Sequence, residues 1–295
     1  MATVTIGFKT SPQGVDWATL DETWTLAGTL EVYDAGWMND HLTHPGLPRG
    51  GASLEPLTLL AALAHRVPGK RLGVAVLSNT FRHASLLAKQ ATALDLVTGG
   101  RFILGLGAGW HEGEHEAFGI TLPPMRERFD RYESTLRVLR ALFSPEAAAP
   151  PGVDLDDPFV PLRGATNEPG SARPGGPEIW LGGQRARGLA LAARYADGWI
   201  QPGDRAGEVD YLAERRDALM GALEAAGRDP SGFEVAGQVV APADAAGRRG
   251  ALEAALAMAR AGATHLIVGI PAAEGPPALE AATCEIAVPL REALA

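Results

Sequence analysis

Arg101-Phe-Ile-Leu-Gly-Leu-Gly-Ala-Gly-Trp110 runs directly into His111-Glu-Gly-Glu-His115, so a short apolar run ends in glycines at alternate positions and then in polar residues. A run of this length, apolar on successive residues, reads as a strand covered on both faces. Glycines at its C-terminal end let main-chain N–H groups approach a ligand with no Cβ in the way, although they equally fit a crowded interior. The same grammar recurs outward in both directions. Apolar, β-branched runs fall at 3–8, 31–38, 72–77, 101–107, 178–182, 198–201, 233–240 and 265–270. Helical windows alternate with them at 54–66, 83–97, 126–142, 188–195, 209–226, 246–261 and 277–294. In the third of these, Phe129, Tyr132, Leu136, Leu139 and Leu142 step by three or four, as one buried helix face requires.

Eight strand candidates with seven helical windows between and after them, up to eight strand-then-helix units, imply an α/β fold, a single (β/α)8 TIM barrel around a parallel sheet. The chain has 295 residues, against about 250 for a typical barrel. The surplus falls mainly at 144–177, a Pro- and Gly-rich stretch without periodicity that precedes the fifth strand. One barrel domain over 1–295, with 144–177 as an irregular insertion or lid, is therefore expected in place of two smaller domains.

Composition removes several function classes. With 46% hydrophobic and 21% charged residues and a formal charge of -9, the chain is an ordinary globular one. It lacks the clustered Lys and Arg that neutralise phosphates, so neither nucleic acid nor an anionic membrane surface is an expected partner. Cys284 is the only cysteine, which excludes an intrachain disulfide framework and thiolate-rich metal sites. No apolar run approaches membrane-spanning length and no leader is evident, so a cytoplasmic protein is expected.

In a barrel of this kind the chemistry sits at the C-terminal ends of the strands. The second strand ends in Asn39-Asp40-His41, and His41 is the side chain suited to proton transfer near neutral pH. Asp40 reads either as its catalytic companion or as the cap of a following helix. The third delivers Ser78 and Asn79, whose hydroxyl and amide suit a polar heterocycle. The first delivers Lys9 and Thr10. After the fifth, Gly182-Gly183-Gln184-Arg185-Ala186-Arg187 opens onto a helix, and free N–H groups at a helix start make a phosphate seat that Arg185 or Arg187 would supplement. A rival of another class is a zinc hydrolase, because His111-Glu112-x-x-His115 matches the pattern that places two imidazoles on one helix face. Gly113 in its centre weakens that helix by about 1 kcal/mol.

Taken in order, Asn39-Asp40-His41, Val76-Leu-Ser-Asn-Thr-Phe-Arg82, Leu94-Asp95 with Thr98-Gly-Gly-Arg101, Gly105-Leu-Gly-Ala-Gly-Trp110, Gly182-Gly183 and Ala196-Asp-Gly-Trp199 resemble the bacterial luciferase-like family of flavin and deazaflavin oxidoreductases. The resemblance implies an isoalloxazine-type ring at the barrel mouth, no resident metal, and His41 with Asp40 as the catalytic groups. It implies cofactor contacts from Asn39, Ala75, Val76, Ser78, Asn79, Gly107, Ala108, Gly109 and Trp110. Gly182, Gly183 and Gln184 would hold the cofactor phosphate, and a non-prolyl cis peptide near Ala75-Val76 would buttress the ring. Trp110 departs from the glutamate of sugar-phosphate-oxidising members, so that proton-donating role does not transfer. The expected activity is hydride transfer between coenzyme F420 and a small organic substrate, with 144–177 covering that substrate. The alternative is an FMN-dependent two-component monooxygenase supplied by a separate flavin reductase. A homodimer is implied by resemblance alone.

Overall fold

The computed structural model describes residues 4–44 and 51–295; Thr3, where the first expected strand begins, lies outside them. In chain order the strands are β1 (Thr5–Thr10), β2 (Ala35–Met38), β3 (Arg71–Val74), β4 (Leu77–Ser78), β5 (Phe102–Gly107), β6 (Val153–Leu155), β7 (Leu162–Ala165), β8 (Glu178–Gly182), β9 (Gly198–Ile200), β10 (Glu234–Val240) and β11 (His265–Ile270). Nine of these form one sheet in the order β3-β2-β1-β11-β10-β9-β8-β5-β4, and β3 also pairs with β5, which closes it. Every ladder in the closed sheet is parallel. Because β3 and β4 are two pieces of one barrel strand, the result is the expected eight-stranded TIM barrel.

The helices are α1 (Trp17–Thr29), α2 (Pro56–Leu63), α3 (Ala84–Thr98), α4 (Glu112–Ala117), α5 (Met125–Leu142), α6 (Ala186–Tyr195), α7 (Val209–Ala225), α8 (Ala245–Arg260), α9 (Gly275–Ala282) and α10 (Val288–Leu294). Among the differences from the sequence reading, α4 falls outside the expected helical windows. α1 was not anticipated, although Asp16 caps it by accepting from the Thr19 N–H and Leu20, Thr23, Trp24 and Ala27 form its buried face. The expected continuous helix over 277–294 is divided by a π-helical turn over Thr283–Ala287. Pro289, at the start of α10, has no N–H to donate and its ring crowds the preceding turn, so the regular ladder cannot pass through.

The barrel interior is filled by large rings. Trp37 and Trp180 are fully buried with centroids 5.3 Å apart. A Cβ on Gly7 or Gly73 would come within 2.6 or 2.5 Å of the Trp37 ring, so these strand glycines exist to admit it. Trp37 Nε1 donates to His265 Nε2 at 3.0 Å. The proton on that ring therefore resides on Nδ1, which donates to Thr5 Oγ1 at 2.6 Å.

The insertion is not structureless. β6 and β7 pair as an antiparallel hairpin, and Asp157 binds it to the outside of α5. Its carboxylate accepts from Ser134 Oγ at 2.5 Å and from Arg137 Nη2 at 2.6 Å. Burial alone would raise this carboxyl, but the hydrogen bonds from Ser134, the Phe159 N–H and Arg137 outweigh it and hold the group at about 2. Asn167 Nδ2 donates to Thr92 Oγ1, and the Arg173 N–H donates to Asp95 Oδ2, fastening the same segment to α3.

Burial, reinforced by the nearby Arg71 charge, pushes His265 well below its ordinary value. Below about pH 6.5 the unfolded chain takes up a proton that folded His265 refuses, so this group's contribution to stability falls as pH falls. Urea unfolding between pH 7 and 5 should show stability declining by up to about 1.4 kcal/mol per unit from this source. A His265→Gln variant, though less stable, should lack that component of the slope. Identical slopes in the two proteins would refute the assignment.

Candidate active site

The C-terminal ends of the strands enclose a cavity of about 610 Å³. Of the residues expected at the mouth, Asn39, Asp40, His41, Ala75, Val76, Ser78, Gly107, Ala108, Gly109, Trp110, Gly182, Gly183 and Gln184 all line it, as does Lys9. Asn79 does not. Side chains alternate along a strand, and with Ser78 on the cavity side Asn79 is turned away. Its N–H donates to Gly107 O at 2.8 Å, and its buried Oδ1 has no partner among the described residues. Thr10 is likewise outside, accepting from Trp24 Nε1 at 2.9 Å in the packing against α1. No residue of 144–177 lines the cavity, so the expected lid is corrected. The Asp157, Asn167 and Arg173 attachments hold that segment to the flank of α3 and α5.

Between β3 and β4 the Ala75-Val76 peptide is cis, where the resemblance placed it. The Val76 side chain faces the glycines of β5 and β8. A Cβ on Gly107 would meet Val76 Cγ2 at 2.8 Å, and one on Gly105 would fall 1.8 Å from Val74 O. Those two glycines make room for the bulge, which is the crowded-interior alternative. Gly109 is different: its φ of +85° is a conformation that side-chain-bearing residues rarely adopt. Beside it, Ser78 Oγ lies 2.8 Å from Thr80 Oγ1, which lies 2.6 Å from His115 Nε2, while His115 Nδ1 is 2.7 Å from His111 O. A carbonyl can only accept, so in the neutral ring Nδ1 donates and Nε2 accepts from Thr80. Ser78 then donates to Thr80 and turns acceptor lone pairs toward the cavity.

His41 is held by a residue that the sequence reading missed. Glu114 Oε2 lies 2.8 Å from His41 Nδ1, and Oε1 accepts from the N–H groups of Leu42 and Thr43 at 2.7 and 3.2 Å. The buried carboxylate thus fixes the ring and places the proton on Nδ1, leaving Nε2 to the cavity. The signal was present in His111-Glu-Gly-Glu-His115, since a residue three after a helix cap turns back toward it. His111 caps α4 by accepting from the Glu114 N–H at 3.0 Å, and this brings Glu114 inward.

The same geometry dissolves the zinc motif. Glu112 is exposed, His111 Nδ1 serves as a cap, and both nitrogens of His115 are spent on Thr80 and the His111 carbonyl. The motif residues build the mouth and do not converge on a common point. Asp40 is also reassigned. Its carboxylate forms a bidentate pair with Arg82, at 2.7 and 2.9 Å, and Oδ2 accepts from the Ser78 N–H at 2.8 Å. With both oxygens engaged it positions the mouth and is not poised to move a proton.

At the opposite wall Lys9 Nζ donates to Gln238 Oε1. Burial pushes its ammonium down to about 8. Next to Gly183, α6 begins at Ala186, and the cap residue Arg185 gives it no side-chain hydrogen bond, so its first N–H groups are open. Arg187 is committed to Asp130 at 2.5 Å and does not serve this seat, while Arg185 is exposed.

Comparison with known proteins agrees with this architecture. Residues 5–282 match the family model of luciferase-like monooxygenases. A phthiodiolone/phenolphthiodiolone dimycocerosates ketoreductase of Mycobacterium sp. (strain JLS) is 33% identical over 222 residues, 70% of this chain and 56% of that protein. An F420-dependent glucose-6-phosphate dehydrogenase of Microbacterium testaceum is 29% identical over 200 residues, 66% of this chain and 56% of that protein. The chain thus spans little more than half the length of these curated relatives. The coenzyme F420 dependent tetrahydromethanopterin reductase from Methanopyrus kandleri superposes with a TM-score of 0.76 at 15% identity, over 98% of this chain and 99% of that one. Among the described residues, no helix is long and apolar enough to cross a membrane.

The Asp40 side chain is 1% exposed and that of Arg82 9%, so Asp40→Asn strands a buried guanidinium. Breaking such a pair costs roughly 3 to 5 kcal/mol, and the second partner of Arg82, Glu55 at 2.6 Å, places the expected loss at the lower end. Urea unfolding should report about 3 kcal/mol for Asp40→Asn and under about 1 for Glu55→Gln, whose carboxylate is exposed. Equal losses would remove Asp40 from its positioning role.

Proposed function

The chain belongs to the luciferase-like monooxygenase family, and from that premise we propose that it is an oxidoreductase that exchanges a hydride between coenzyme F420 and a small organic alcohol or ketone. The observation that carries the reading is His41, held through Nδ1 by buried Glu114 beside a glycine-lined cavity. The relative whose name carries F420 dependence supports the choice of cofactor.

The residues present fit such a group. A cavity of about 610 Å³ lies within the roughly 300 to 1,000 Å³ of small-molecule sites. Val76 and the glycines of β5 and β8 offer an apolar wall, Ser78 an acceptor for a ring N–H, and the uncapped start of α6 a seat for phosphate. When bound, the deazaflavin supplies the carbon that gives or accepts hydride. The chain handles the proton: His41 Nε2 takes it from a substrate hydroxyl as hydride passes from the carbinol carbon to the cofactor, or returns it to a carbonyl oxygen in the reverse direction. Glu114 keeps Nε2 in the accepting form. The Trp110 ring lies perpendicular to that of His41, with centroids 6.0 Å apart.

A second reading within the same family is oxygen chemistry with reduced FMN delivered by a separate reductase, favoured by the monooxygenase character of the matched model. Titrating purified protein with F420 and with FMN, followed by ligand fluorescence, distinguishes the two. Preferential F420 binding is expected; tight FMN binding with none for F420 would overturn the first choice.

His41→Ala and Glu114→Gln should each lower kcat by about 10² to 10⁴, the usual contribution of a positioned acid–base group, while F420 affinity changes less than threefold. In Glu114→Gln the amide can donate to Nδ1 and reverses the tautomer. Equal losses in kcat and in cofactor affinity would instead make His41 a ring-positioning residue.

A further inference from the structure

We propose that Lys9 is the anion-recognition residue of this cavity and that the substrate it selects carries a carboxylate or a comparable oxyanion. The inference rests on the reading of the cavity as the substrate site of an oxidoreductase, and it deepens that reading by naming a substrate class.

Position comes first. In the closed strand order β1 and β8 are four strands apart in an eight-membered ring, so Lys9 stands across the barrel from Gly182, Gly183 and the open start of α6. A phosphate seated at α6 leaves the Lys9 side for a different anionic group.

Bonding is the second consideration. An ammonium has three N–H donors, and Lys9 spends one on the neutral Gln238 Oε1. Among the described residues no carboxylate lies within 4 Å of it, and every salt bridge between them involves other cations. Gln238 cannot move to accommodate it, because its N–H donates to Gln201 Oε1 at 3.0 Å and its Nε2 to Gln201 O. Gln201 Nε2 in turn donates to the carbonyls of Arg205 and Glu208 at 2.7 and 3.1 Å. Neutral amides therefore hold the cation in place without neutralising it.

Lys70 shows how this protein treats a lysine used for structure: its Nζ donates to two carbonyls, Leu30 O and Tyr33 O, both at 2.8 Å. The other charges on the cavity wall are accounted for. Asp40 is paired with Arg82, Glu114 with His41, and Asp204 is solvent-exposed with no ion pair to Lys9. A half-buried cation facing a cavity with two donors unused gains most from a ligand oxyanion.

The experiment uses oxo acids and their methyl esters as matched probes, levulinate against methyl levulinate and phenylpyruvate against methyl phenylpyruvate. Binding is measured by calorimetry with the wild-type protein, Lys9→Gln and Lys9→Arg, each with and without F420. At least one acid should bind tenfold or more tightly than its ester, with the preference abolished in Lys9→Gln and partly kept in Lys9→Arg. Absence of acid preference across the panel, or its persistence in Lys9→Gln, overturns the proposal. Thermal melts verify that the variants fold, and Lys9→Arg keeps the test valid if Lys9→Gln does not. F420 and FMN affinities should be unchanged by Lys9→Gln within twofold; a tenfold loss would show that Lys9 serves an anion of the cofactor and overturn the substrate assignment. If neither cofactor binds the wild type, the oxidoreductase reading fails while the acid-to-ester ratio still reports on Lys9.

Discussion

Both sides of the candidate site depend on the buried ion pair between Asp40 and Arg82. Asp40 precedes His41 at the end of β2, and the same carboxylate accepts from the main-chain N–H of Ser78 in β4. One anion thus joins the strand that presents the imidazole to the strand that presents the hydroxyl. Were it absent, the second and third barrel strands would remain paired lower down, through Ala35 to Met38 against Arg71 to Val74, but nothing comparable would fix their ends. A buried pair repays its desolvation only when the remaining lone pairs are also satisfied, and the Ser78 N–H and Glu55 complete that set.

The barrel was legible because its signal is repetitive. Apolar runs such as 101–107 and 265–270 are covered on both faces, and the glycine and proline punctuation falls between them. The mouth residues were legible for a related reason: the end of a strand is readable, and the fold dictates that strand ends converge. What the sequence concealed are properties that depend on direction. Asn79 follows Ser78 yet points away, Glu112 and Glu114 differ only in which way one turn of helix carries them, and Asp40 has the chemistry of a base but a bidentate partner 42 residues away. The Pro- and Gly-rich stretch at 144–177 had the composition of a lid, and only the contacts of Asp157 and Asn167 reveal that it lies against the flank of the barrel. α1 was hidden by its mixed Thr, Gly and Ala composition, although its buried face has helical spacing.

The net charge of -9 gives no hint of the cavity, where charges are arranged individually. Two carboxylates are held in place by cationic or imidazole partners and serve as supports, while one lysine is stabilised by amides alone.

The hydrogen-bond sequence from Ser78 through Thr80 and His115 to the His111 carbonyl has a stereochemical consequence. A planar ring can enter a slot either way up, and the two orientations present opposite faces to whatever lies beside them. Because the terminal carbonyl can only accept, every hydroxyl in the sequence has its proton assigned, and Ser78 presents an acceptor to the cavity. A ring edge carrying N–H is welcomed there and an edge carrying a bare oxygen is repelled. A carbonyl remote from the cavity thereby sets which edge of a planar ligand Ser78 can accept.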